Sequence, residues 1–223
     1  MFENTYSKSL QGQRAENLDR YCFYNRENWA VSILIDGFVN EKPHFVDCLC
    51  KNISTEVTSL ESVTTLEELN HVVINAIKQE TLGKGKASIA IVTSYLDSVS
   101  LLTIGDTRAY LMDSRIRTVD HSRAQELVEQ GKCNGDTINQ NGYRRYLTRS
   151  LCTLNKDVEI DITYYPQFTS GNTILMCSDG FWSRFKNDSQ IFNFSSNSLE
   201  EYMESLSDKD LEDNTTVLLL TKR

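Results

Sequence analysis

No run of about 18 apolar residues occurs in the 223-residue chain, so no helix is expected to cross a membrane. Basic residues are too few for a nucleic-acid reader: 23 Lys and Arg face 31 Asp and Glu, the net charge is −8, and no Lys/Arg cluster stands out. Only two prolines occur, Pro43 and Pro166, neither in a linker-like stretch. No fixed-period repeat or composition shift marks a boundary, and one domain over 1–223 is expected. Neither G-x-G-x-x-G nor G-x-x-x-x-G-K-S/T is present, and Gly83-Lys84-Gly85-Lys86 lacks the spacing, so nucleotide-binding folds fall away. A G-x-S-x-G elbow is also missing. The start, Met1-Phe2-Glu3-Asn4-Thr5, carries an acid and no apolar core, so it does not read as a signal peptide. Cys22, Cys48, Cys50, Cys133, Cys152 and Cys177 are therefore expected as reduced thiols in a cytoplasm.

What is present is 39% hydrophobic and 24% charged, enough to fold around a core rather than remain disordered. Trp29–Ile35 is a short apolar run ended by Asp36-Gly37 and predicts a buried strand. Pro43 opens a helical stretch over 44–60, with Leu49, Ile53, Val57 and Leu60 at helix spacing. A second helix is predicted over 65–82, capped by Thr64 with Glu67 or Thr65 with Glu68. Strands follow at Ala87–Thr93, Val99–Ile104, Arg108–Met112 and Ile116–Val119, then a short helix at Ser122–Gln130 stopped by Gly131. Lys132–Tyr146 is polar and reads as a loop or flap. Val158, Ile160 and Ile162 alternate as in a strand, Thr173–Cys177 and Thr215–Leu220 are apolar strands, and Ser198–Leu206 looks helical. Paired helices and consecutive strands predict a layered α+β domain with mostly antiparallel sheets.

Four aspartates abut these strands: Asp36-Gly37, Gly105-Asp106, Asp179-Gly180 and Asp213-Asn214. Each pair alone is an ordinary turn signal. Brought together, they would make an all-oxygen site of the kind hard cations such as Mg²⁺ and Mn²⁺ prefer. Rival chemistries have less to build on. His44, His71 and His121 are scattered, and His44 with Cys48 falls short of the four close ligands of a zinc site. Cys177 ends an apolar strand with six residues between it and Arg184, the wrong spacing for a cysteine phosphatase, and reads as a core residue.

Seven segments together resemble metal-dependent protein phosphatases of the PPM type, also called type 2C. Arg14-Ala15-Glu16-Asn17-Leu18-Asp19-Arg20 is similar to the opening R-x-x-N-E-D motif, and Ile33-Leu34-Ile35-Asp36-Gly37 to the strand ending in Asp-Gly. Ile104-Gly105-Asp106-Thr107-Arg108-Ala109-Tyr110-Leu111 resembles V-G-D-S-R-A-Y-L. Asp120-His121-Ser122 with Gln125-Glu126-Leu127-Val128 resembles the bacterial D-H-S and Q-E-L-V segment. Leu147-Thr148-Arg149-Ser150-Leu151, Met176-Cys177-Ser178-Asp179-Gly180-Phe181-Trp182 and Asp213-Asn214-Thr215-Thr216-Val217 resemble L-T-R-A-L, L-C-S-D-G-L-W and D-N-I-T-V. The segments run in family order from residue 14 to residue 217.

The resemblance implies two packed antiparallel sheets flanked by helices, a four-layer αββα sandwich, and hydrolysis of phosphoserine and phosphothreonine at two Mn²⁺ or Mg²⁺ ions. By carry-over Asp36 bridges both metals and Gly37 offers its carbonyl. Asp179 and Asp213 hold the first metal, Asp19 supports the second through water, and Asp106 matches the ligand of a third metal in bacterial relatives. Arg14 grips the substrate phosphate with its forked guanidinium. The partner implied is a phosphorylated protein, countering a serine/threonine kinase, with the chain acting as a monomer. Three positions depart from the family pattern: Leu18 replaces the usual Glu, Asp36-Gly37-Phe38-Val39 lacks the usual His and second Gly, and Lys86-Ala87-Ser88 replaces Gly-Thr-Thr. Two alternatives follow, a pseudophosphatase that keeps the fold as a protein-binding module and a phosphatase dedicated to one signalling regulator. Retention of Asp36, Asp179 and Asp213 favours turnover, and Leu18 implies weak binding of the second metal.

Overall fold

Strands with two apolar faces pair into two antiparallel sheets in the computed structural model, which describes residues 2–41, 44–79, 83–154 and 157–223. The first sheet runs in the order β1 (Phe2–Leu10), β11 (Thr215–Lys222), β10 (Thr173–Cys177), β6 (Arg108–Leu111) and β7 (Ile116–Arg117). The second runs β2 (Arg20–Asn25), β3 (Trp29–Asn40), β4 (Gly85–Tyr95), β5 (Ser98–Ile104) and β9 (Asp161–Tyr165), with the short β8 (Leu151–Cys152) added to β4.

Alternation along the strands divides the core into three seams. On β3, Val31, Ile33 and Ile35 face helices α1 (Phe45–Ser59) and α2 (Leu66–Lys78), while Ala30 and Leu34 face the other sheet. On β11, Leu218 and Leu220 enter the seam between the sheets. Val217 and Leu219 meet an aromatic-rich layer of α4 (Asp179–Trp182), α5 (Asp188–Phe192) and α6 (Ser196–Ser205). The result is the expected αββα sandwich. Burial on both faces explains why these strands read as unbroken apolar runs.

Local signals set several boundaries. The Thr65 hydroxyl accepts from the Glu68 N–H at 3.1 Å, and the Glu68 carboxylate accepts from Thr64, so the second of the two expected caps starts α2. Ser122 caps α3 (Arg123–Glu129) by accepting from Gln125, and Gly131 ends it at φ +67°. Pro43 and the expected helix end at 80–82 lie outside the described residues.

Four features differ from expectation. β3 does not stop before Asp36: a bulge between Gly37 and Val39 shifts its register on β4 and carries it to Asn40. The strand expected from Val158 begins at Asp161, because Val158 and Ile160 tuck against the helix-side core whereas Ile162 points outward. The Lys132–Tyr146 loop contains two 3-10 turns, at 135–140 and 142–145. The strands β1 and β2 and the short helices α4 and α5 were not expected at all.

Candidate functional site

One end of the sandwich opens into a cleft of about 1560 Å³. Its wall includes Asp36 from the bulged end of β3, Asp106 just after β5, Asp179 at the start of α4 and Asp213 just before β11. Two glycines permit this convergence. Gly105 sits at φ +93°, and a Cβ there would come 2.1 Å from the Ser88 Cβ. A Cβ on Gly180 would come 2.1 Å from the Asn214 carbonyl oxygen, so only glycine lets α4 lie against the start of β11. Asp36 and Asp179 are near neighbours: the Asp179 N–H lies 3.5 Å from Asp36 Oδ2.

Asp19 stands behind this wall, 4% exposed. Its Oδ2 accepts from the hydroxyls of Ser178 at 2.9 Å and Thr216 at 2.6 Å, tying the residue before β2 to the ends of β10 and β11. Its Oδ1 is buried and has no hydrogen-bond partner among the described residues. Asn214 completes the frame by accepting from the Leu18 N–H at 2.8 Å and donating to the carbonyls of Gln11 and Glu16.

Gathering so many carboxylates in a desolvated place disfavours their ionised forms. Burial, then the charges of Asp19, Asp179, Asp106 and Asp213, holds the Asp36 carboxyl well above the usual range. Burial and the Asp179 and Asp120 charges do the same to Asp106, while Arg108 and Arg144 oppose it. Asp179 is raised by burial and Asp213 and lowered by Arg144. Asp19 is pushed up to about 7, chiefly by burial, against the pull of the Thr216 and Ser178 hydroxyls.

Two arginines answer part of this negative charge. Arg14 forks onto Asp213 at 2.7 and 2.5 Å, which raises the guanidinium pKa, and Arg144 from the flap donates to Asp179 at 3.0 Å. Among the described residues no group of three or more His, Cys, Asp or Glu side chains forms a ready metal cage. The two guanidinium groups occupy carboxylate oxygens that a cation would take. The donor chemistry still fits a hard divalent ion, since the four aspartates on the wall offer only oxygen, repel one another, and are backed by the orphaned Asp19 Oδ1.

The remaining predicted residues fall as follows. Gly37 is buried at the bulge and lines the cleft, as does Leu18, which is half-buried rather than packed into the core. Arg145 and Tyr146 of the flap also border the cleft. Cys177 is fully buried. His121 is structural: its Nδ1 accepts from the Gly105 N–H at 2.9 Å, leaving Nε2–H to donate to Asp161 at 2.9 Å. Sequence reasoning missed the bracing of Asp19 by Ser178 and Thr216 and the role of Asn214, although all three lie inside recognised segments. It also missed Arg108, which is fully buried, bonds Asp120 and Asp188, and stacks 3.5 Å from the Trp182 ring, whose indole N–H donates to the Asp106 carbonyl.

No family model matches the sequence, and no curated protein matches it. Solved structures do. Serine/threonine phosphatase Stp1 from Staphylococcus aureus is 22% identical with a TM-score of 0.77, covering 100% of this chain and 96% of that one. The S. agalactiae serine/threonine phosphatase is 18% identical with a TM-score of 0.75, covering 98% and 100%. The catalytic domain of the serine threonine protein phosphatase PstP, solved in complex with two manganese ions, is 20% identical with a TM-score of 0.73, covering 99% and 97%. The chain therefore has the fold of the bacterial PPM-type serine/threonine phosphatases.

Proposed function

We propose that this chain is a metal-dependent protein serine/threonine phosphatase, one domain over 1–223, acting as a monomer in the cytoplasm on phosphoproteins made by a serine/threonine kinase. The observation that carries the proposal is the convergence of Asp36, Asp106, Asp179 and Asp213 on one cleft, backed by buried Asp19 with an unpartnered oxygen. So much negative charge in so little water is hard to keep without a cation. Asp36, Asp179 and Asp213 would hold Mn²⁺ or Mg²⁺, with the Gly37 carbonyl, Asp19 and Asp106 supporting this pair or a third ion. When bound, these ions supply an activated water and neutralise phosphoryl oxygens.

The chain's own residues do the rest. Asp19 stays braced by Ser178 and Thr216, which fixes its carboxyl group behind the cleft wall. Arg14, exposed at the cleft mouth, exchanges its fork on Asp213 for two oxygens of the substrate phosphate, a geometry that suits guanidinium. Arg144, on the flap, restrains Asp179 through its hydrogen bond.

One set of observations favours a second reading, a binding module without turnover: Leu18 offers no carboxylate, and both arginines sit on the carboxylates. Hydrolysis of p-nitrophenyl phosphate and of a phosphothreonine peptide, with and without Mn²⁺, separates the two. Mn²⁺-dependent release of phosphate is the expected result. No release at any Mn²⁺ concentration assigns the chain to the binding module.

A further inference from the structure

Away from the cleft, β2 and α1 meet through a ladder of three side-chain pairs. Arg20, Cys22 and Tyr24 alternate on one face of β2, and Asp47, Cys50 and Ser54 recur at helix spacing on α1. The rungs are Arg20 Nε to Asp47 at 2.5 Å, Cys22 Sγ to Cys50 Sγ at 3.0 Å, and Tyr24 hydroxyl to Ser54 at 2.6 Å. All six cysteines of the chain are free thiols, and both members of this pair are half-buried. The outer rungs hold the two sulfurs in line, so joining them needs only a small approach of the strand and helix.

From this ladder we infer that Cys22 and Cys50 are a redox site that closes reversibly to a disulfide when a peroxide or a small-molecule disulfide oxidises it. The pairing distinguishes the two sulfurs. The hydrogen bond from Cys50 holds the Cys22 thiol below the ordinary range, against burial and with help from Tyr24 and Ser54, and the same contact holds Cys50 above it. Arg20 and the Tyr24 hydroxyl are the polar groups of β2 that flank the pair, and Ser54 faces it from α1. With the Ser54 hydroxyl also 3.9 Å from its sulfur, Cys22 is the attacking member of the pair.

With hydrogen peroxide, the Cys22 thiolate takes one oxygen. The O–O bond breaks, hydroxide leaves, and a sulfenic acid remains. The Cys50 sulfur then attacks Cys22 and gives up its proton. The S–O bond breaks and water leaves. Two electrons pass from the sulfurs to the peroxide, which ends as two waters once the hydroxide takes up the proton that Cys22 lost on ionising. A thiol reductant reverses the change by exchange. Closure clamps β2 to α1. Arg20 extends the clamp toward Asp19, since its Nη1 donates to the carbonyls of Asn17 and Asp19, both at 2.8 Å.

The test treats the full chain with hydrogen peroxide or oxidised glutathione under native conditions, then counts thiols after unfolding and maps peptides without reduction. Free thiols are expected to fall from six to four, six less the two joined. A single Cys22–Cys50 cross-linked peptide should appear, the melting temperature should rise by about 5–10 °C, and dithiothreitol should restore all of this. Cys22→Ser and Cys50→Ser should each abolish the cross-link and the shift. Cross-links elsewhere with both of these thiols still free, or Cys22 oxidised to sulfinic acid with Cys50 unlinked, would overturn the inference. Turnover plays no part in these readouts, so failure here is distinct from failure of the phosphatase reading.

Discussion

Replacing Asp19 by asparagine removes one charge and almost no volume, at a side chain that is 4% exposed. Burial, then the Asp179 and Asp213 charges, lifts its carboxyl from 3.8 to about 7 against the Thr216 and Ser178 hydroxyls. The folded chain then binds this proton more tightly than the unfolded one. Metal-free stability from this group is therefore full below about pH 4 and lost as pH rises to about 7. At 1.36 kcal/mol per unit, that gap is worth about 4 kcal/mol. Asparagine keeps an oxygen for Ser178 and Thr216 but sets its NH₂ where Oδ1 has no partner, which costs about 1–3 kcal/mol. Without metal at about pH 8, Asp19→Asn should thus be the more stable chain by about 1–3 kcal/mol, or about 2–10 °C in melting temperature. At about pH 4 the relief is gone, the unpaired amide remains, and the same variant should melt below the parent. Thermal melts in chelator at both pH values check this. A shift of the same sign at both would refute the charge-crowding account of the site.

Leu18→Glu adds a carboxylate on the cleft wall at a half-buried position. It should lower the Mn²⁺ concentration needed for hydrolysis about tenfold, one good ligand's worth. An unchanged metal demand with a lower melting temperature would show that Glu is merely buried there. Asp179→Asn should abolish p-nitrophenyl phosphate hydrolysis while the circular dichroism spectrum stays that of the parent. Gly105→Ala forces a Cβ to 2.1 Å from the Ser88 Cβ at φ +93° and should destabilise by about 2–4 kcal/mol in urea unfolding; a loss below about 1 kcal/mol would mean the turn yields easily.

The parts of the fold legible in the sequence are those whose signals are local. The Thr65–Glu68 cap, the Ser122 cap and the Tyr95–Ser98 hairpin each depend on a few neighbouring residues. β1 and β2 escaped because each is an edge strand hydrogen-bonded to one neighbour only; β1 is polar along most of its length, and β2 is six residues bounded by Arg20 and Asn25. Their strand character comes from β11 and β3, which are distant in sequence for β1 and themselves apolar. The Asp36-Gly37 stop misled because a bulge lets the backbone pass a turn signal and stay in the sheet. The aspartates of the site stood out through their place beside apolar strands and inside the family-like segments. Arg14 on Asp213 and Arg144 on Asp179 did not, since a pairing across 199 or 35 residues has no sequence period to betray it.

The central claim is that this carboxylate cleft binds divalent metal, and calorimetric titration of the chelator-treated chain with Mn²⁺ tests it most directly. Saturable binding that is lost or greatly weakened in Asp36→Asn, with the variant still folded, is the predicted result. Absence of binding in the parent, or equal binding by Asp36→Asn, would contradict it.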